Sequence, residues 1–138
     1  MLKKKRLKFR RIQKKRVKIN WITPQKNILN FGKYGLKADE CGIVTKRQIE
    51  AARRSITRRL KKSSKVWINA RVNRPVTAKP QGIRMGKGKG SVAQKTRFVR
   101  KGEILFEIGF LSKTAALKVL EKTKRKLPIA ARAITKGR

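Results

Sequence analysis

The sequence contains no histidine, one cysteine (Cys41) and only 6 acidic residues among 138. Each shortage closes off a class of chemistry. Without an imidazole there is no histidine general base and no Ser-His or Cys-His nucleophile. One thiol cannot make an internal disulfide, and it fits a reducing compartment. With no histidine beside it, a zinc site lacks ligands, so no metal and no cofactor are expected. Aromatics are 6% and scattered. No apolar run approaches the roughly 20 residues of a membrane-spanning helix. No apolar signal segment follows the basic start, and the broad apolar face of a membrane-surface helix is missing. Neither a membrane nor a small-molecule substrate is therefore expected as a partner. The hydrophobic fraction of 38% still exceeds that of a disordered chain, and the length permits one domain with a modest core.

Positive charge is what the chain has in excess. Against the 6 acids stand 42 lysines and arginines, a net charge of +36. Solubility needs a magnitude of only about 2–8 in a small domain. Self-repulsion at this density opposes compaction unless counter-charge is supplied, which is the footprint of a nucleic-acid partner. No acid precedes Asp39, and none lies between Glu50 and Glu103, so the basic surface extends along the chain.

Residues 1–20 form a basic N-terminal arm carrying Lys3, Lys4, Lys5, Arg6, Lys8, Arg10, Arg11 and Lys14. Its Leu2, Leu7, Phe9 and Ile12 follow no clean period, so the arm is expected to stay disordered until it binds nucleic acid. A mitochondrial targeting helix is the competing reading, but such helices are serine-rich and amphipathic.

Residues 21–138 are expected to be a single α+β domain. Phe31 to Leu36 suggests a strand with a bend, paired by Ile43 and Val44. Thr45 and Gln48 form a capping box for a helix whose Ile49, Ala52, Ile56 and Leu60 make one apolar stripe. Arg53, Arg54 and Arg58 lie on its basic face, where like charges four residues apart cost stability unless phosphate opposes them. Val66 to Val72 reads as a mostly buried strand, Val76-Thr77 as a short extended piece, and Ile83 as a return to the sheet. Thr96 to Arg100 and Glu103 to Ile108 read as a hairpin turning at Lys101-Gly102, with both glutamates facing solvent beside basic neighbours. Ser112 caps a second helix whose face is Ala116, Leu117, Leu120, Lys124 and Leu127, flanked by Val119 and ended by Pro128. Ile129 to Thr135 adds a last strand. The sum is a mainly antiparallel sheet packed by two amphipathic helices.

A long glycine-rich loop, 82–95, protrudes from this body. Its centre is Arg84, Met85, Gly86, Lys87, Gly88, Lys89 and Gly90. Glycine packs nothing and orders at high entropic cost, so this stretch is expected outside the core, with all three glycines replaceable without unfolding. It fails the phosphate-loop pattern G-x-x-x-x-G-K-[ST], since Lys87 follows Gly82 where the second glycine belongs and Ser91 does so after Gly86. G-x-G-x-x-G fails at Ser91 as well. What remains is a bare cationic backbone open to close approach by a polyanion.

Arg84 to Gly90, with Lys95 following, resembles the signature of the bacterial-type large-subunit ribosomal protein L16 (uL16) family. The likeness continues in Met1-Leu2, Lys5-Arg6 and Lys8-Phe9-Arg10, in Phe31 to Ala38, in Thr45 to Arg54 with Thr57-Arg58, and in Val66-Trp67-Ile68. Lys79-Pro80, Ile104 to Glu107 and Lys126 to Ile129 follow in family order. Lys4, Asn69, residues 18–30 and Gln94-Lys95-Thr96 depart from it. The resemblance implies a non-catalytic constituent of the large ribosomal subunit. Its partners would be large-subunit rRNA, tRNA acceptor arms and neighbouring large-subunit proteins. The arm and the Arg53, Arg54 and Arg58 face would contact rRNA. Arg84 to Gly90 would face tRNA near the aminoacyl site and the peptidyl transferase centre. A lysine-rich, acid-poor composition and no clear presequence point to a mitochondrial version made inside the organelle, with plastid or bacterial cytoplasm as alternatives. A general DNA- or RNA-compacting basic protein would share the phosphate contacts but would not need the glycine loop.

Overall fold

The computed structural model describes residues 28–60, 64–109 and 112–136. The basic arm, with its candidate contacts from Lys3 to Lys14, lies outside the described residues. Those described form an α+β fold in which every strand pairing is antiparallel. The elements are β1 (Tyr34–Ala38), β2 (Gly42–Thr45), α1 (Lys46–Leu60), β3 (Lys65–Ile68), β4 (Arg74–Ala78), β5 (Ser91–Val99), β6 (Ile104–Gly109), α2 (Lys113–Lys124) and β7 (Ala131–Thr135).

Helix α1 begins where its side chains satisfy orphan backbone donors. The Thr45 N–H donates to Gln48 Oε1 at 2.9 Å, and the Gln48 N–H donates to Thr45 Oγ1 at 3.3 Å. Ile49, Ala52, Ile56 and Leu60 are all buried, so the apolar stripe faces the core as its spacing requires. The buried face of α2 is Ala116, Val119, Leu120 and Thr123. Val119 and Thr123 thus replace the expected Leu117 and Lys124, which are half-buried. Thr123 is tolerated there because its hydroxyl donates to Val119 O at 2.8 Å. Ser112 occupies the N-cap position without a side-chain capping bond, and α2 stops at Lys124, ahead of Pro128.

Two sheets, not one, carry these helices. One has strand order β3-β6-β1-β7 and the other β2-β5-β4. This corrects two expected pairings. Ile43 and Val44 pair with Phe98 and Arg97 of β5 rather than with β1, because both edges of β1 are taken by β6 and β7. The β5 and β6 strands are not a hairpin. Gly102, at φ 89°, turns the chain from one sheet to the other, and its N–H donates to Ala38 O at 2.8 Å. Further corrections are local. The first strand starts at Tyr34, so Phe31 and Gly32 precede it. The third ends at Ile68, although the Asn69 N–H still donates to Leu105 O of β6 at 3.0 Å, and it is half-buried to exposed rather than mostly buried. Ile83 remains in the loop, 58% exposed. The β5 strand takes residues 91–95, so the irregular loop is shorter than expected.

Glu103 pairs with Arg97, as its basic surroundings suggested, but it is not solvent-facing, with its side chain 18% exposed. Glu107 departs further. It is fully buried on β6, beneath the segment that leads into β1. Its Oε2 accepts from the N–H groups of Phe31 and Gly32 at 2.7 and 2.8 Å, and its Oε1 from Asn69 Nδ2 at 2.6 Å. Burial alone would push this carboxyl up. The donors from Gly32, Phe31, Asn69 and Asn30 outweigh that and hold it below its ordinary value.

Candidate nucleic-acid interface

The capping box and the inward stripe leave the opposite face of α1 outside. Lys46, Arg47, Arg54, Arg58 and Arg59 are exposed there. They line an open groove of about 880 Å³ to which Lys126, from the segment after α2, also contributes. Among the described residues, Glu50 is the groove's only acid. It accepts from Arg53 Nε at 3.0 Å and Nη2 at 2.8 Å, and from Arg54 Nε at 3.0 Å. Hydrogen bonds from Arg53 first and Arg54 second lower its pKa to about 2, so it is ionised at any physiological pH.

This geometry divides the arginines expected to act together. Arg54 and Arg58 both line the groove, whereas Arg53 does not. Arg53 is half-buried and engages Glu50 in a fork, which orients that carboxylate. The Arg54–Arg58 repulsion is partly offset by Glu50, one turn before Arg54. Lys46, Arg47, Arg59 and Lys126 also belong to the groove. Arg47 and Arg59 were legible as basic residues on α1. Lys126 had no local signal, since it arrives through the packing of α2 against α1.

The second cationic feature is the loop between β4 and β5. Residues 80–89 are all exposed, Met85 by 93%. Gly86, Lys87 and Gly88 have φ of 96°, 51° and 84°. Glycine adopts that region freely, but a lysine there costs roughly 1–2 kcal/mol, the sort of strain that accompanies a functional loop. Lys79 Nζ donates to Gly86 O, tying the tip to the end of β4. The glycines are not equivalent. A Cβ on Gly86 or Gly88 would meet open space, whereas one on Gly90 would lie 2.5 Å from Ala78 O. Gly90 is therefore where the backbones close at the hairpin base, which corrects the expectation that all three are replaceable.

The two cationic features lie on different elements, α1 and the β4–β5 loop. Nothing among the described residues gathers three His, Cys, Asp or Glu side chains that could hold a metal. No described helix is long and apolar enough to cross a membrane.

Comparison with known proteins shows the family. The "Large ribosomal subunit protein uL16" of Cereibacter sphaeroides is 47% identical over 136 residues, spanning 99% of this chain and 98% of that protein. Proteins of the same name from Corynebacterium urealyticum and Wigglesworthia glossinidia brevipalpis are 44% and 42% identical, each over 99% of this chain and 97% and 98% of their own length. A sequence profile described as ribosomal protein L16p/L10e matches residues 4–134. With nearly its whole length matched at this identity, the chain belongs to the ribosomal protein L16p/L10e family.

Proposed function

We propose that the chain is a structural constituent of the large ribosomal subunit that binds large-subunit rRNA through the α1 groove and the basic arm. It presents Arg84 to Gly90 to tRNA near the aminoacyl site and the peptidyl transferase centre. As a ribosomal protein of this family it is not an enzyme. Neighbouring large-subunit proteins are its further partners. In this reading residues 21–138 act as one rRNA-binding domain with the arm 1–20 appended. The observation that carries the proposal is the groove, where exposed cations from α1 and Lys126 face outward with one arginine-bound acid among them. Phosphate there relieves the like-charge cost along α1. The lysine-rich, acid-poor composition favours a mitochondrial ribosome as the setting, and the bacterial relatives fit a bacterial cytoplasm as well.

Binding to protein-free large-subunit rRNA, titrated against salt, tests the groove. A protein neutralising 6–10 phosphates loses roughly 10³–10⁵ in affinity between 50 and 200 mM salt. Replacing Arg58 and Arg59 by alanine is expected to reduce the slope of log affinity against log salt by about 1 for each phosphate no longer neutralised. Equal affinity for duplex DNA at matched salt removes the rRNA assignment and leaves a general nucleic-acid compactor, whereas a flat titration removes the phosphate contacts on which both readings rest.

The loop is tested after incorporation into large subunits. Gly86→Ala with Gly88→Ala meets no neighbouring atom but puts alanine at two positive-φ positions, a strain of roughly 1–2 kcal/mol each that the exposed loop relieves by changing shape, so the free protein is expected to keep cooperative unfolding while aminoacyl-tRNA binding weakens. Gly90→Ala is expected to destabilise the hairpin by about 1–3 kcal/mol, because backbone must move to admit the methyl. Normal tRNA binding by the double variant would make the loop a passive tether.

A further inference from the structure

Phe31 combines exposure with rigid support. It is 65% exposed, yet its ring stacks on Trp67 with centroids 6.0 Å apart and planes 21° from parallel. Its backbone is fixed, because the N–H groups of Phe31 and Gly32 are both held by the Glu107 carboxylate. Gly32 lies so close to β6 that a Cβ there would sit 2.7 Å from Ile108 N. Trp67 is braced in turn, since a Cβ on Gly109 would meet its ring at 3.0 Å. The aromatic pair is thus built on the sheet, not carried by a free loop.

We propose that Phe31, backed by Trp67, is a stacking platform for an unpaired nucleobase of rRNA. Two observations commit it to a base. Exposed lysines flank it, Lys33 two residues after Phe31 and Lys65 two residues before Trp67 on the same side of β3. The acid beneath it, Glu107, is fully buried and engaged by its donors, so it presents no negative surface to phosphate. Aromatic faces set in a cationic surface bind single-stranded bases by stacking while neighbouring lysines hold the backbone. This contact lies on the four-stranded sheet rather than on α1 or the glycine loop.

The inference rests on the rRNA-binding reading, and salt titration separates the two. Stacking neutralises no phosphate. Phe31→Ala is therefore expected to weaken binding to protein-free large-subunit rRNA by about 5- to 150-fold at every salt concentration, with the salt slope unchanged. Phe31→Tyr should restore affinity and Phe31→Leu should not, while the melting temperatures of all three stay near the parent's. Equal binding by Phe31→Ala and parent would overturn the platform and leave the groove reading intact. Full rescue by leucine would also overturn it, pointing to an apolar protein neighbour. Failure of the parent to bind rRNA would remove both.

Discussion

Ile56→Asp is expected to abolish cooperative thermal unfolding. Ile56 lies in mid-helix on the inward stripe of α1 and has no solvent exposure. Its neighbours in the core cluster include Val44, Ile49, Ala52, Leu60 and Leu120. Truncating such a side chain alone costs about 2–5 kcal/mol. Aspartate adds a carboxylate to this buried apolar cluster, and the total reaches the whole stability of a typical domain, about 5–15 kcal/mol. Ile56→Val, losing one methylene, should cost only about 0.5–1.5 kcal/mol and still melt cooperatively. Circular dichroism melts of the three proteins read this directly. If Ile56→Asp melts like the parent and loses only rRNA affinity, the inward and outward faces of α1 have been exchanged.

That helix was legible because everything specifying it is local. The capping box joins residues three apart, and the stripe recurs within one segment, so 3.6-residue geometry alone relates them. The sheets were harder for the opposite reason. Ile43 and Val44 are strand-like in any reading, but their partner depends on which edges other strands have already occupied. Lys101-Gly102 has the chemistry of a hairpin turn, and only tertiary pairing shows that it carries the chain between sheets. At the candidate interface, the α1 cations and the glycine loop were visible as composition. The separation of Arg53 from Arg58 was not, because it depends on where Glu50 points its oxygens. Gly90 differs from Gly86 through the carbonyl of Ala78, a residue on the opposite strand. Glu107 was misjudged most. Its donors Phe31 and Gly32 lie 76 and 75 positions away in the chain, beyond the reach of any local pattern.

The same long-range contact makes Glu107→Gln the other substitution with a large expected effect. The carboxylate accepts with both oxygens, Oε2 taking two backbone donors and Oε1 the Asn69 amide. A glutamine has one acceptor oxygen and one donor group. The orientation that keeps the two backbone bonds requires Asn69 to turn its amide over and accept through Oδ1, the other leaves both backbone donors facing an NH2, and charge assistance is lost in either. Each donor left unsatisfied in the interior costs about 1–3 kcal/mol, and a net loss of about 2–4 kcal/mol is expected. The dependence on pH identifies the charge as the cause. The folded carboxyl lies below its ordinary 4.5, so its contribution is fully present above that value and is lost as pH falls through the folded pKa. The melting temperatures of parent and Glu107→Gln should therefore be far apart near neutrality and converge in acid, while Glu50, present in both, affects them alike. A gap that stays constant down to strongly acidic pH would mean that the carboxylate's shape, not its charge, holds the segment. Because the same bonds seat Phe31 on Trp67, the variant should also lose part of its rRNA affinity with little change in salt slope. The double variant Glu107→Gln/Phe31→Ala should bind no more weakly than Phe31→Ala alone, and strictly additive losses would show that Glu107 does not act through the platform.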